Sequence, residues 1–239
     1  MNNCFRAEQE CRLHEMRTCS EPTEEWPRGC RGSRRPWLVF IGPSPGGKKG
    51  TDEEASPRWN RPFTDPFTPP FWGGGFKQSM QPLLRTLMPE ATEAESTLLY
   101  AVYNFDSLQN PQASRVPSES MKRGAPGLLS LLEKSPPRLI VPMERRCFDV
   151  LRDELPQRGY KRAENYQFPI PIPVSIYGNP KRFHRNIFGF RIDGSGPLKE
   201  SVVVKLPQHP AKIFRTDYAT DCGKVVRDLF ERLAGVIAD

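Results

Sequence analysis

The sequence predicts an α/β fold of three layers, α/β/α, in which helices cover both faces of a central, mostly parallel, four-stranded sheet. Short, wholly apolar runs that contain β-branched residues, such as residues 37–41, are typical of strands buried on both faces. Amphipathic helical patterns alternate with these runs along the chain, which indicates parallel strands connected by helices. A chain of 239 residues is long enough to bury a substantial core in one domain.

We divide the chain into a polar N-terminal extension, residues 1–35, and a single α/β domain, residues 36–239. In the extension, residues 8–16 favour a short helix, and the basic residues 28–35 are predicted to form a loop. After the first strand, residues 42–75 form a long predicted loop rich in proline, glycine and aromatic residues. Loops of this length are usually functional or disordered, and the aromatic content argues against disorder.

Helices and strands then alternate through the rest of the domain. The helix predicted at residues 78–88 places four apolar side chains on one face. The further predicted elements are a second strand at 97–105, a helix from 118 through 132 with a break at Pro126, a third strand at 138–141, a helix at 144–155, a fourth strand at 202–206 and a final amphipathic helix at 218–236.

A basic and aromatic segment, residues 157–200, interrupts this alternation. We interpret it as an insertion into the domain and expect a hairpin over residues 186–191. Its positive charges form either a solvated face, as charge runs usually do, or a contact surface for phosphates.

The composition favours a polyanionic partner. The formal charge is +7 and the isoelectric point is about 9.2, and Lys and Arg side chains displace the counterions that condense on phosphates. No apolar run approaches the ~18 residues of a membrane span, and the N-terminus has no apolar signal core. We therefore expect a cytoplasmic monomer with no membrane partner.

The cysteine pattern favours free thiols over disulfides or a metal site. The cysteines show no C-x-x-C spacing, and two of them lie far along the chain from the other four, so no cofactor or metal is expected. A metal site built from the first four remains the alternative. The six are Cys4, Cys11, Cys19, Cys30, Cys147 and Cys222.

Residues 42–48 spell G-x-x-x-x-G-K, the pattern of a phosphate-binding loop. The next residue is Lys49, where Ser or Thr would hold magnesium, and a proline-containing loop follows where a helix would begin. Pro43 and Pro45 also remove two amide donors from the loop. A nucleotide hydrolase that uses Lys48 is therefore the weakest of the functions considered.

Two strand ends have the same design. The fourth strand stops at Pro207 and is followed by His209, and the first strand stops at Gly42 and is followed by a Pro- and Gly-rich turn. Open α/β sheets bind ligands outside the carboxyl ends of their strands. We expect the two loops to face one pocket.

Four segments, ordered along the chain, carry a resemblance to a known family. They are Gly42-Pro43-Ser44-Pro45-Gly46, then Arg61-Pro62-Phe63-Thr64-Asp65, then residues 99–104 with Arg115-Val116-Pro117, and finally His209-Pro210-Ala211-Lys212-Ile213-Phe214-Arg215. The set resembles the uracil-DNA glycosylase superfamily, nearest to its bacterial iron–sulfur branch, and covers most of the chain. The resemblance implies a DNA glycosylase that flips a base into a pocket and hydrolyses its N-glycosidic bond.

The resemblance also assigns roles to residues on these segments. His209 would stabilise negative charge on the leaving base, Asn104 would read the base edge, and Phe63 would stack on the ring. Each has a simpler interpretation: a hydrogen-bonded structural histidine, an asparagine that caps the turn after a strand, and a core phenylalanine.

The loop after the first strand supplies the remaining catalytic candidates. Ser44 would help to place the water, Asp65 would stabilise the sugar cation, and the backbone of Gly42, Pro45 and Gly46 would bind the base. Other candidates for the carboxylate are Asp52, Glu53, Glu54 and Asp106. The DNA contacts we expect are Arg182, His184, Arg185, Lys212 and Arg215.

The chain departs from the family pattern at two places. Active relatives usually carry Asp, Glu or Asn inside the first motif, where this chain has Pro43 and Ser44, and the cluster cysteines are missing. We therefore expect no iron–sulfur cluster and a substrate other than plain uracil, such as a damaged base or a phage-modified base. The main alternative is a module that binds DNA or a modified base without cutting it.

Overall fold

The computed structural model describes residues 9, 31–33, 35–43, 74–89, 91–92, 95–96, 99–105, 116–171, 184–206 and 216–235. Within these ranges no helix is long and apolar enough to cross a lipid bilayer.

The described strands form one sheet of seven. They are β1 (Arg31–Gly32), β2 (Leu38–Gly42), β3 (Tyr100–Asn104), β4 (Leu139–Pro142), β5 (Tyr160–Pro171), β6 (His184–Gly194) and β7 (Val202–Lys205). The order across the sheet is β1-β3-β2-β4-β7-β6-β5. The inner strands β3, β2, β4 and β7 are mutually parallel, and the outer pairings are antiparallel. The α/β class is confirmed, and the inner four are the predicted strands, but the sheet is wider than four because β1, β5 and β6 join its edges.

Four helices pack on this sheet in the described part of the chain. They are α1 (Gly74–Leu87), α2 (Ser118–Lys134), α3 (Arg145–Glu154) and α4 (Thr216–Leu233), and a short 3₁₀ turn, Leu155–Arg158, follows α3. All four lie close to their predicted positions.

The predicted break of α2 at Pro126 was wrong. An interior proline costs a helix about 3 kcal/mol. However, α2 buries Met121, Leu128, Leu129 and Leu132, and each side chain of this size contributes about 1.5–3 kcal/mol on burial. The packed face therefore outweighs the proline, and the helix continues to Lys134.

The core has two halves, one on each face of the sheet. On one face, Phe40, Val102 and Val141 of the parallel strands pack with side chains of α1 and α4, where the Trp37 and Phe230 rings meet at 5.4 Å. On the other face, the alternate strand residues pack with α2 and α3. Because strand side chains alternate between faces, wholly apolar strands are what a sheet covered on both sides requires.

Part of the N-terminal extension is bound to the sheet. Residues 28–35 were predicted to be a loop, but Arg31–Gly32 pairs antiparallel with β3. The Gln9 side-chain amide, which is buried, donates a hydrogen bond to the carbonyl oxygen of Leu87 at 2.9 Å. The rest of the helix predicted at 8–16 lies outside the described residues, and the domain boundary at residue 35 stays a prediction.

The basic insertion extends the sheet. The hairpin predicted at 186–191 was misplaced, since these residues lie inside β6, which pairs with β5 on one side and β7 on the other. The last β6–β7 pair is Phe188–Lys205, whereas the β5–β6 ladder continues to Pro171–His184. Because β6 runs antiparallel to β7, its first four residues project about 13 Å past the carboxyl end of β7, at about 3.3 Å per residue.

Two glycines of α2 make a direct test of its packing. A Cβ at Gly124 would overlap the carbonyl oxygen of Phe105, whereas a Cβ at Gly127 would have nothing within 4 Å. Gly124→Ala should lower the free energy of unfolding by at least about 1–3 kcal/mol through overpacking, while Gly127→Ala should raise it by about 0.5–1 kcal/mol through helix propensity. Urea unfolding of both variants checks this, and equal shifts for the two would contradict the described contact.

Candidate functional site at the carboxyl edge of the sheet

The ends of β2 and β3 lie side by side. In the parallel ladder Gly42 is the partner of Asn104, and the Phe105 amide N–H donates to the carbonyl oxygen of Gly42 at 3.1 Å. This edge of the sheet is formed by the carboxyl ends of the four parallel strands, which is where α/β sheets bind ligands. The structure thus brings together two residues that sequence analysis assigned to one site.

The Asn104 amide lies directly against the Cα of Gly42. A Cβ at Gly42 would be 2.6 Å from Asn104 Oδ1 and 3.0 Å from the Cε methyl of Met143. Any side chain at position 42 would therefore displace one of these groups. Asn104 is 7% exposed and Met143 is 5% exposed, so both groups are held in a packed setting.

Met143 joins the site from the end of β4. Its amide N–H donates to the carbonyl oxygen of Ile41 at 2.9 Å, which ties the exit of β4 to β2. Three neighbouring strand ends, those of β3, β2 and β4, are thereby linked by backbone hydrogen bonds. Sequence analysis did not identify Met143, although its position directly after a strand, at the carboxyl edge of the sheet, could have indicated it.

Arg146, in the first turn of α3, fixes the chain just before α2. Its Nη1 donates to the carbonyl oxygen of Val116 at 2.6 Å, and its Nη2 donates to Glu144 Oε1 at 2.7 Å. Val116 belongs to the segment that the family resemblance assigns to base reading. The guanidinium therefore links this segment to the turn that carries Met143, and sequence analysis did not single it out.

A separate cluster of cations lies on the other face of the sheet. The Phe188 ring of β6 has Lys205 Nζ at 5.8 Å from its centroid and Arg145 Cζ at 5.5 Å. Arg145 also pairs with Asp149 at 2.8 Å. Val204 and Met143 lie on the face that α1 and α4 cover. Because adjacent strand residues point to opposite faces, Lys205 points toward α2 and α3. These contacts stabilise the β6–β7–α3 junction, and they are not part of the Gly42–Asn104 site.

The described part of the chain contains two buried cysteines, one on α3 and one on α4. Burial raises the pKa of the Cys147 thiol on α3 well above its usual range, so it stays protonated at neutral pH. Cys222 on α4 is likewise buried. Among the residues that the structure describes, no three His, Cys, Asp or Glu side chains come together as metal ligands would.

The other predicted site residues are placed only in part. The backbone of β6 puts His184 and Arg185 on the stretch that projects past the carboxyl end of β7. β7 ends at Lys205, four residues before His209, so the chain leaves toward His209 from the same edge. The predicted residues outside the described ranges are Ser44, Pro45, Gly46, Phe63, Asp65, Arg182, His209, Lys212 and Arg215.

Comparison with known proteins adds no assignment. No protein-family model matches the chain, and no curated protein matches it significantly.

Replacing Gly42 by alanine tests the packing of the Asn104 amide. The new methyl group cannot remain 2.6 Å from Oδ1, and because that oxygen ends a rotatable side chain, the amide should move while the fold persists. We expect displaced ¹H–¹⁵N resonances of the Asn104 side chain and a loss in free energy of unfolding of about 1 kcal/mol. Gly127→Ala is the matched control, and unchanged Asn104 resonances in Gly42→Ala would refute the contact.

Proposed function

We propose that the protein is a DNA glycosylase that flips a damaged or modified base out of the helix and hydrolyses its N-glycosidic bond, leaving an abasic site. The observation that carries the proposal is the direct pairing of Gly42 with Asn104 at the carboxyl edge. These residues come from two segments that are far apart in sequence, and both segments belong to the ordered set that resembles the uracil-DNA glycosylase superfamily. The proposal includes a sheet and helix arrangement like that of the uracil-DNA glycosylase superfamily.

Base recognition would use the fixed amide. An asparagine side chain offers one acceptor and two donors, so it can hydrogen-bond to complementary groups on a base edge. Its position against Gly42, inside a packed edge, orients the amide before a substrate arrives. Unstacking a base costs a few kcal/mol, and stacking on the Phe63 ring would return about 1–3 kcal/mol.

Bond cleavage would rely on residues of the two flanking loops. As the glycosidic bond breaks, its electrons leave with the base, and a neutral His209 that donates to a base oxygen stabilises the resulting anion. Water adds to C1′ of the sugar, and the proton that it loses neutralises the departing base anion. Ser44 and the backbone of the turn after Gly42 would position this water, and Asp65 would stabilise the sugar cation.

DNA binding would use the basic hairpin. Residues 157–200 contain eight Lys or Arg and three acidic residues, and β6 carries His184 and Arg185 at the same end of the sheet as Asn104, four strand positions away from β3. Phosphates of a DNA strand that runs along this end of the sheet, away from the flipped base, would therefore meet positive charge. The altered first motif, with Pro43 and Ser44, favours a non-uracil base, and removal of phage-modified bases would make the protein part of an antiviral defence.

The central test is release of bases from defined DNAs. Duplex and single-stranded oligonucleotides that contain uracil, hypoxanthine or modified cytosines should yield abasic sites with at least one substrate. His209→Ala should then reduce kcat by about 10²-fold or more, as loss of a single donor to a developing anion does. His14→Ala serves as the matched histidine control and should keep wild-type activity.

Two results would contradict the proposal. Full activity in His209→Ala would rule out His209 as the group that stabilises the leaving base. Binding that weakens steeply with salt, without an abasic product on any DNA, would identify a non-catalytic DNA-binding module.

The hairpin charge can be tested by salt titration. Arg185→Ala should weaken DNA binding for every sequence alike and reduce the slope of log K against log salt by about 0.9, the value for one lost phosphate contact. Arg123→Ala removes the same charge from an exposed position on α2 and should leave the slope unchanged. Equal slopes for the two variants would show that β6 does not contact the DNA.

A further inference from the structure

We propose that a projecting β-ribbon enters the major groove of duplex DNA about six base pairs from the flipped base, so that the substrate is double-stranded. The ribbon is the part of the β5–β6 pair that extends past β7, residues 168–171 of β5 paired with residues 184–187 of β6. The inference rests on the glycosylase function above and narrows its substrate class from any DNA to duplex DNA.

The base of the ribbon is held from both faces of the sheet. On one face, the Phe148 ring of α3 packs against the Phe190 ring of β6, with the ring centroids 5.7 Å apart. On the other face, α4 approaches so closely that a Cβ at Gly189 would lie 3.0 Å from the Cδ1 atom of Leu233. Ile187, the last ribbon residue of β6, is fully buried. The direction in which the ribbon leaves the sheet is therefore set before a partner binds, which lowers the entropic cost of binding.

The dimensions of the ribbon suit the major groove. Two paired strands lie about 4.8 Å apart, and a groove about 12 Å wide admits a two-stranded ribbon. The projection of about 13 Å exceeds the groove depth of about 8.5 Å, so the ribbon can reach the floor of the groove. A single strand has no groove, and a ribbon that binds in this way therefore distinguishes duplex from single-stranded DNA.

The residues of the ribbon favour a nucleic acid over an added protein strand. The ribbon sequence contains Arg185 and His184 and no acidic residue, so its charge is complementary to the phosphates that line a groove. β5 is the outermost strand of the described sheet, and prolines in edge strands have their nitrogen on the unpaired side. Pro169 and Pro171 therefore interrupt the row of N–H donors that an added strand would need.

The order of the strands sets where the ribbon meets the duplex. β6 lies four strand positions from β3, which carries the Asn104 amide that we assign to base recognition. At about 4.8 Å for each position, the separation along the carboxyl edge is about 19 Å. Base pairs rise about 3.4 Å each, so the ribbon contacts the duplex about six base pairs from the flipped base, on one side only.

Duplexes with shortened flanks test this inference through binding affinity. Each duplex carries one tetrahydrofuran abasic-site analogue, and the base pairs on its 5′ or its 3′ side are reduced from about twelve to about three. Shortening one flank below about six base pairs should lower the affinity about 10-fold or more relative to the same shortening of the other flank, because only one side reaches the ribbon. The single strand that carries the analogue should bind about 10-fold or more weakly than the full duplex.

Arg185→Ala separates the ribbon from the rest of the surface. This variant should bind the longest duplex more weakly than the wild type and should show no difference between the two flanks. Arg123→Ala, which removes a charge from an exposed position on α2, is the matched control and should keep the one-sided loss. Thermal unfolding of both variants checks that each is folded.

Each outcome decides one question. Equal losses from both flanks, or a single strand bound as tightly as the duplex, would overturn the role of the ribbon and leave the glycosylase function to the test of base release. A one-sided loss without base release from any DNA would reject the glycosylase function and retain the ribbon as a duplex contact. A dimer that forms without DNA and protects the β5 amides from hydrogen exchange would show that a second copy occupies this edge, and it would also overturn the inference.

Discussion

The register of the β2–β3 ladder is the constraint on which the rest of the site depends. It sets Gly42 opposite Asn104, and the missing Cβ of Gly42 leaves room for the amide on one side and the Met143 methyl on the other. A shift of one residue would turn Asn104 to the opposite face of the sheet. The residues that precede Gly42 and Asn104 are buried on both faces, so a slip of one residue would exchange the two halves of the core.

Helices on one face then fix the chain after β3. Gly124 of α2 brings that helix against the backbone of Phe105, the residue after Asn104, and Arg146 of α3 binds the carbonyl oxygen of Val116. The two contacts hold the ends of the segment that leaves β3 and returns at α2. Under the function that we propose, the Asn104 amide needs such support, because rotamer freedom in its neighbours would reduce discrimination between bases.

Sequence analysis identified the strands and helices that can be recognised from a short stretch of consecutive residues. Apolar runs such as residues 37–41 and 202–206 predict strands buried on both faces, and they proved to be β2 and β7. Asn104 and Gly42 were found because a motif resemblance pointed to them. The width of the sheet was missed, since β5 contains Pro169 and polar residues that do not form an apolar run, and its pairing with β6 spans a long connection. Arg146 was missed because its importance arises from a contact with Val116, 30 residues away in the chain, which no local pattern encodes. Met143 was missed although it directly follows a strand at the carboxyl edge.

Unequal strand lengths connect the fold with the charge of its edge. β7 has four residues and β6 has eleven. Their antiparallel pairing extends from Val202–Arg191 to Lys205–Phe188, so β7 ends where four residues of β6 are still unpaired with it. What remains of β6 must project past the carboxyl ends of the parallel strands, and it carries His184 and Arg185 there. The backbone of His184 and Arg185 therefore lies at the same end of the sheet as the Gly42–Asn104 pair, with β4 and β7 between β2 and β6. The same insertion that widens the sheet thus brings two basic residues to its carboxyl end, where the phosphates of the DNA partner that we propose would meet them.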